Sequence, residues 1–159
     1  MEDVLQLRVV DTGPEARRVL GLIEGVLPGV DACEVGSTAV PGVIGKGDLD
    51  LVVRVPADTF AAARASLDAL FPRNPEQLSN QQYQGYVVPS DHDVAIQLTV
   101  LDGPYDTFHS FLDALRADAG LVSSYNDLKR AYVGRPMAEY RAAKAAFVEQ
   151  VVRAVELPQ

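Results

Sequence analysis

The stretch Lys46-Gly47-Asp48-Leu49-Asp50-Leu51-Val52-Val53 alternates acidic and apolar residues before ending in an apolar run. Side chains of a β-strand repeat with a period of two, so this pattern predicts a strand with Asp48 and Asp50 on one face. Their Cα atoms would lie roughly 6.5 Å apart, from a rise of about 3.3 Å per residue. Both carboxylates could reach one hard cation, and oxygen ligands favour Mg²⁺ or Mn²⁺ over zinc. The alternative is a strand end whose solvent face carries two acids without a ligand.

A Gly36-Ser37 pair precedes this strand and follows the short apolar stretch Ala32-Cys33-Glu34-Val35. The order of strand, small turn, loop and acidic strand resembles the polymerase-beta-like nucleotidyltransferases. In that superfamily the turn lets backbone N–H groups and the Ser hydroxyl approach a triphosphate, while the carboxylates hold a metal ion that bridges its oxygens. The resemblance implies a minimal nucleotidyltransferase-like fold of the α+β class, with a mixed β-sheet packed by helices and a helical C-terminal part.

The residues of the loop make the resemblance more specific. The segment Gly36-Ser37-Thr38-Ala39-Val40-Pro41-Gly42-Val43, followed by Lys46 and Asp50, is similar to the signature of the GrpB family. Several C-terminal positions also follow that family's helical pattern: Phe111 to Arg116, Tyr125, Leu128, Lys129, Tyr140, Lys144 and Phe147. The resemblance implies that Gly36, Ser37 and Thr38 contact the phosphates of a nucleotide. Lys46 lies between this segment and the two aspartates, so we expect it to offset the phosphate charge; the alternative is an exposed loop lysine with no role.

A third carboxylate, which catalytic members of the superfamily place on a later strand, is not evident from the pattern. The later strand at residues 94–100 offers Gln97 on its polar face, and a glutamine cannot act as a base. Asp93 shares that face and is the best substitute. We therefore expect Asp93 to orient or deprotonate the acceptor hydroxyl, if the protein is an enzyme.

Periodicity and helix-breaking residues predict the other elements. We expect one α+β domain over residues 1–159, with helices on one side of the sheet and a cleft on its open side. The first predicted elements are an edge strand at 5–10 and a helix that has Pro14 in its first turn and ends before Pro28-Gly29. A second helix is predicted from Pro56 to near Pro72, with apolar residues along one side: Phe60, Ala63, Leu67 and Leu70. A hairpin of strands 82–88 and 93–101 follows, and then helices from about Pro104 that are interrupted at Gly120 and at Gly134-Arg135-Pro136.

Lys144 lies in an apolar stripe of the last predicted helix, formed with Tyr140, Phe147, Val151 and Val155. A lysine in such a stripe must find an anion or extend to water. One expectation is that Lys144 pairs with a phosphate or with an acidic residue of the site. The alternative is an aliphatic stem that covers the edge of an interface while the ammonium stays in water.

The chain of 159 residues has a net charge of −8, which argues against a surface for bulk nucleic acid or for anionic membranes. A local patch of Lys129, Arg130 and Arg135 could still admit the end of an RNA. The single cysteine, Cys33, is expected to be a buried inert thiol in a reducing compartment. Because no apolar run approaches the roughly 18 residues of a membrane span and no basic signal region is evident, we expect a soluble cytoplasmic protein.

These observations favour a metal-dependent nucleotidyltransferase that uses an NTP and acts on an unknown small molecule or protein. The alternative is a catalytically degenerate module of the same fold that binds a nucleotide or another phosphorylated ligand. A third reading, a protein with a purely structural role, predicts that Asp50→Asn is neutral or stabilising, because the change removes one of two adjacent like charges.

Overall fold

The computed structural model describes residues 4–5, 12–35, 48–106 and 108–156, except for the side chains of residues 108, 109, 155 and 156. These residues divide into two compact units, one of residues 12–35 and 48–106 and the other of residues 4–5 and 108–156. That residues 1–159 form a single domain stays a prediction. The α+β class with a mixed sheet and a helical C-terminal part is confirmed.

The first unit contains a mixed sheet in the order β1-β2-β4-β3. Its strands are β1 (Asp31–Val35), β2 (Asp48–Val55), β3 (Tyr83–Val88) and β4 (Asp93–Val100). The two central strands, β2 and β4, run parallel, and each outer strand pairs antiparallel with its neighbour. The predicted acidic strand and the predicted hairpin are therefore confirmed.

Two helices cover one face of this sheet. The first, α1 (Gly13–Val26), has Pro14 in its first turn, as predicted, and is followed by Gly29 with a φ of 75°. The second, α2 (Phe60–Asp68), continues a 3₁₀ turn at Ala57–Thr59. Leu70 was predicted to share the buried side of α2, but the helix ends at Asp68 and Leu70 is exposed.

The core lies between these helices and one face of the sheet. Alternate residues of the two central strands supply much of it: Leu49, Leu51, Val53, Val55, Val94, Ile96, Leu98 and Val100. The helices contribute Ala16, Val19, Ile23, Phe60, Ala63 and Leu67. Because side chains of a strand alternate between faces, Asp48 and Asp50 point to the opposite face, which we call the polar face.

The second unit is helical, with α3 (Phe108–Ala117), α4 (Ala119–Ala131) and α5 (Met137–Glu156). The rings of Phe111, Tyr125 and Phe147 pack together, with centroid distances from 5.3 to 6.1 Å. The predicted interruption at Gly120 falls slightly earlier, because Asp118 caps α4 by accepting hydrogen bonds from the first-turn N–H groups. Of the predicted strand at 5–10, Leu5 forms an isolated bridge with Val133, and the remainder lies outside the described residues.

Candidate active site on the polar face of the sheet

The parallel register of β2 and β4 places Asp93 directly beside Asp48. Paired residues of neighbouring strands point to the same face, and their strands lie about 4.8 Å apart. Asp50, two residues further along β2, pairs with Ala95 and also points to this face. Asp48 and Asp50 are half-buried and Asp93 is exposed. The structure thus brings three of the predicted site residues together at one end of the polar face.

Carboxylates in this arrangement supply only oxygen donors, which suit Mg²⁺ or Mn²⁺. Asp48 and Asp50 project from one strand on the same face, so both can contribute oxygens to one ion. Over the described parts of the chain, no group of three or more His, Cys, Asp or Glu side chains has the arrangement needed to hold a metal ion. The roles of Asp48 and Asp50 as metal ligands and of Asp93 as a residue that acts on the acceptor stay predictions.

The turn before Asp93 is anchored to α1. The Ser90 hydroxyl donates a hydrogen bond of 2.7 Å to Glu15, and the His92 N–H donates to the Ser90 oxygen at 3.0 Å. Glu15 also pairs with Arg18 one turn along the helix. The Ser90 hydrogen bond, followed by the contact with Arg18, lowers the pKa of Glu15. These contacts fix the point at which β4 begins, and His92 lies in the turn before it.

Opposite charges meet at the other end of the polar face. Arg54 donates two hydrogen bonds of 2.8 Å to Asp106 and one of 3.1 Å to Asp31. The Asp106 side chain is only 1% exposed, and its carboxylate also accepts the Asp102 N–H. Hydrogen bonding to Asp106 raises the pKa of the Arg54 guanidinium. Sequence analysis did not single out this network, because the partners lie 23 and 52 residues away along the chain.

Tyr83 and Tyr86 both belong to β3 but point to opposite faces of the sheet, because their positions in the strand differ by an odd number. Tyr86 points into the core, where its hydroxyl donates to Asp68 at 3.0 Å. Tyr83 lies on the polar face, where its hydroxyl donates to Oε1 of Gln77 at 3.1 Å. Burial, followed by the charge of Asp50, raises the pKa of Tyr83 to about 12. Tyr83 and Gln77 therefore belong to the same face as the carboxylates, and sequence analysis missed Gln77.

The remaining predicted site residues are not part of this arrangement. Gly36, Ser37, Thr38 and Lys46 lie outside the described residues. Lys144 is half-buried on α5, in the helical unit, next to buried Tyr140 and Val151 in the predicted stripe. The roles predicted for all five positions stay predictions.

Two predictions about surface residues are wrong. Cys33 is exposed, because it lies on the edge strand β1 and points to the polar face. Lys129 is 3% exposed, with Nζ 4.2 Å from the centre of the Tyr125 ring, so it cannot contribute to a basic surface patch. The other two members of that patch form ion pairs with acidic residues close in the sequence, Arg130 with Asp127 and Arg135 with Glu139.

Comparison with solved structures defines the class of fold. The chain is similar to Cid1, a protein described as having RNA terminal uridylyl transferase activity. The TM-score is 0.50 and the sequence identity is 16%, and the match covers 79% of this chain and 40% of that chain. It also resembles the conserved protein GrpB from Enterococcus faecalis, with a TM-score of 0.72 and 15% identity over 95% and 96% of the two chains. The fold is therefore nucleotidyltransferase-like.

Sequence comparison then defines the family. The family model described as GrpB protein matches residues 14–154. A UPF0157 protein of Vibrio cholerae serotype O1 is 32% identical over 131 residues, which cover 82% of this chain and 70% of that protein. The chain belongs to the GrpB family, as its signature loop predicted. A search of the described helices for a segment long and apolar enough to cross a membrane finds none.

Proposed function

We propose that this protein is a metal-dependent nucleotidyltransferase that transfers a nucleotidyl group from an NTP to a small molecule or a protein. The observation that supports the proposal most directly is the pairing of Asp48 with Asp93 across two parallel strands, with Asp50 beside them. Three carboxylates close together on one face supply the oxygen ligands that a divalent cation prefers. The nucleotidyltransferase-like fold gives such a face a chemical purpose.

Each predicted residue has a separate role in the proposed reaction. Asp48 and Asp50 would hold Mg²⁺, which when bound offsets the charge of the phosphate oxygens and of the departing pyrophosphate. Gly36, Ser37 and Thr38 would contact the phosphates through backbone N–H and hydroxyl groups. Lys46 and Lys144 would add positive charge there. The acidic composition favours an acceptor other than bulk nucleic acid.

Asp93 would act on the acceptor. Its carboxylate would take the proton of an acceptor hydroxyl. The hydroxyl oxygen would then form a bond to the α-phosphorus. The bond from that phosphorus to the α–β bridging oxygen would break, and pyrophosphate would leave. Asp93 is exposed, which gives an incoming hydroxyl access to it. The turn anchored by Ser90 and Glu15 holds the start of β4 and so limits the movement of Asp93.

Thermal unfolding against a panel of NTPs, with and without Mg²⁺, tests the proposal. A nucleotide that binds only the folded state at 100 times its Kd raises the free energy of unfolding by about 2.7 kcal/mol. For a chain of this size, that raises the midpoint of thermal unfolding by roughly 5–10 °C. Asp50→Asn should abolish the Mg²⁺-dependent part of this shift. Asp58→Asn, at an exposed position outside the site, is the charge-matched control and should keep the shift.

The absence of any nucleotide-dependent shift in the wild type would contradict the proposal. It would favour a scaffold with another ligand or none, most clearly if Asp50→Asn left the protein equally stable or more stable.

A second candidate is a module that binds a nucleotide or another phosphorylated ligand without turnover. One observation in its favour is that the described residues contain no metal cluster of three ligands. A second is that Gln97, rather than an acidic residue, lies on the polar face of β4. Asp93→Asn separates the two candidates. In an enzyme it should lower pyrophosphate release from Mg·NTP, assayed with a panel of hydroxyl compounds, by roughly 100-fold or more while binding persists.

A further inference from the structure

The side chain of Gln77 lies against the polar face at a position that only a glycine leaves open. Gly85 of β3 pairs with Gln97 of β4, so a side chain at Gly85 would point to the polar face. A Cβ atom there would overlap the Gln77 amide oxygen. The loop that carries Gln77 is fixed to β3 on both sides, by Asn74 N–H to the Gly85 carbonyl at 2.9 Å and by Asn80 N–H to the Tyr83 carbonyl at 3.0 Å.

The orientation of this amide is set by Tyr83. The Tyr83 hydroxyl donates to Oε1 of Gln77 at 3.1 Å, which uses the oxygen as an acceptor. Tyr83 is itself only 9% exposed, and its ring packs against Tyr105 at a centroid distance of 5.5 Å. The Tyr105 hydroxyl in turn accepts a hydrogen bond from Asn80. Gln77, which is exposed, therefore presents its Nε2 hydrogens outward as donors.

This donor lies within a nucleotide's reach of the carboxylates. In the sheet, Gly85 lies level with Val52, two strands away from β2 and two residues along from Asp50. With a strand spacing of about 4.8 Å and a rise of about 3.3 Å per residue, the Cα atoms of Gly85 and Asp50 are roughly 12 Å apart. The charge of Asp50 contributes to the raised pKa of Tyr83, which is consistent with their common face. A nucleotide with its phosphates at Asp48 and Asp50 can extend its base toward Gln77.

We infer that the Gln77 amide contacts the base of the nucleotide and selects bases with a carbonyl oxygen, rather than an amino group, at C4 of a pyrimidine or C6 of a purine. This inference rests on the proposed function and names the substrate class of that site. Because the Gln77 oxygen lies against Gly85 and accepts from Tyr83, the Nε2 hydrogens are the groups of the amide that face a ligand, and they match O4 of uracil or O6 of guanine. The amino groups of cytosine and adenine at the corresponding positions are donors themselves and leave the amide without a partner.

The test compares Kd values for Mg·UTP, Mg·CTP, Mg·GTP, Mg·ATP and Mg·tripolyphosphate by titration calorimetry. In the wild type, a nucleotide with a carbonyl oxygen at pyrimidine C4 or purine C6 should bind about tenfold more tightly than the nucleotide with an amino group there, UTP over CTP or GTP over ATP, because one hydrogen bond separates them. Tripolyphosphate has no base and reports the carboxylate site alone.

Three variants of the amide should change this preference in different ways. Gln77→Ala should remove it. Gly85→Ala should remove it as well, because the new methyl group displaces an end of the flexible Gln77 side chain rather than backbone. Gln77→Glu should reverse it toward CTP or ATP, since a carboxylate that accepts from Tyr83 can only accept from the base. The matched control, Gln81→Ala, changes an exposed glutamine of the same loop and should keep the wild-type preference.

The outcomes separate failure of this inference from failure of the proposed function. Equal binding of all four nucleotides by the wild type, or an unchanged preference in Gln77→Glu, overturns the role of Gln77 while Asp50-dependent binding stands. If neither the nucleotides nor tripolyphosphate bind, the proposed function fails and this inference fails with it. Melting temperatures of the variants close to that of the wild type establish that the changes are local.

Discussion

The two ends of the polar face differ in how their charges are arranged. At the C-terminal end of β2, Arg54 meets Asp106 and Asp31, and opposite charges form a network of short hydrogen bonds. At the N-terminal end of the same strand, the three acidic residues Asp48, Asp50 and Asp93 lie together on the polar face. Both ends belong to the same strands and the same sheet face.

This difference separates charge that stabilises the fold from charge that is suited to a ligand. The Arg54 guanidinium and the buried Asp106 carboxylate compensate one another, so neither needs a further ion. Adjacent carboxylates supply several oxygen ligands in one place, which suits a divalent cation. We therefore expect the Arg54 end to stabilise the fold, and we propose the carboxylate end as the ligand-binding end.

Removing the buried partner at the Arg54 end should have the largest effect on stability. Asp106→Ala leaves Arg54 without its two short hydrogen bonds and the Asp102 N–H without its acceptor. We expect the free energy of unfolding to fall by about 3 kcal/mol, because a largely buried charge loses its partner. Urea unfolding at neutral pH measures the change.

Asp31→Asn is the matched control for this change. The Asp31 side chain is 52% exposed, so its pair with Arg54 should contribute less than about 0.5 kcal/mol. Equal losses in the two variants would show that burial of Asp106 does not distinguish them, and would contradict the assignment.

Mg²⁺ alone should distinguish the two ends with an intermediate effect. An ion held by Asp48 and Asp50 stabilises the folded chain by mass action, by about 1.4 kcal/mol at ten times its Kd. Asp50→Asn should lose this gain, whereas Asp31→Asn, at the other end of the face, should keep it. Thermal unfolding over a series of MgCl₂ concentrations at constant ionic strength provides the measurement, and an equal response of both variants would argue against a site at Asp50.

The smallest effect is expected where the carboxylate end is attached to α1. Because the pKa of Glu15 is lowered below its ordinary value of 4.5, ionised Glu15 stabilises the fold above that pH, and this stabilisation is lost as the pH falls through the lowered pKa. Glu15→Gln should therefore be less stable than the wild type at pH 7 and should approach it in acid. Urea unfolding from pH 7 to pH 3 tests this, and a difference that does not vary with pH would contradict it.

Much of the fold could be predicted because its signals are local. The alternation in β2 predicted that Asp48 and Asp50 share the face opposite the core. Pro14 and Gly29 lie at the two ends of α1, as expected. The end of α2 was predicted less well, since Leu70 continues the apolar pattern beyond the last helical residue. Periodicity describes the inside of an element better than its ends.

The errors about burial have a different cause. The sequence marks Cys33 as an apolar residue in a short strand, but β1 is an edge strand and Cys33 points away from the covered face. Lys129 appears as one of several basic residues, but its helix turns it against the Tyr125 ring. In both cases the neighbours that determine burial are set by packing rather than by adjacent residues.

The sequence by itself determined the family, through the signature that begins at Gly36-Ser37, and the common face of Asp48 and Asp50, through the two-residue period of a strand. Only the tertiary structure decided that Asp93 lies beside Asp48, that Arg54 reaches Asp106, and that Tyr83 rather than Tyr86 shares the polar face. The physical reason is that strand order and register depend on how distant segments pack into one core, and a shift of one residue would move every side chain to the other face.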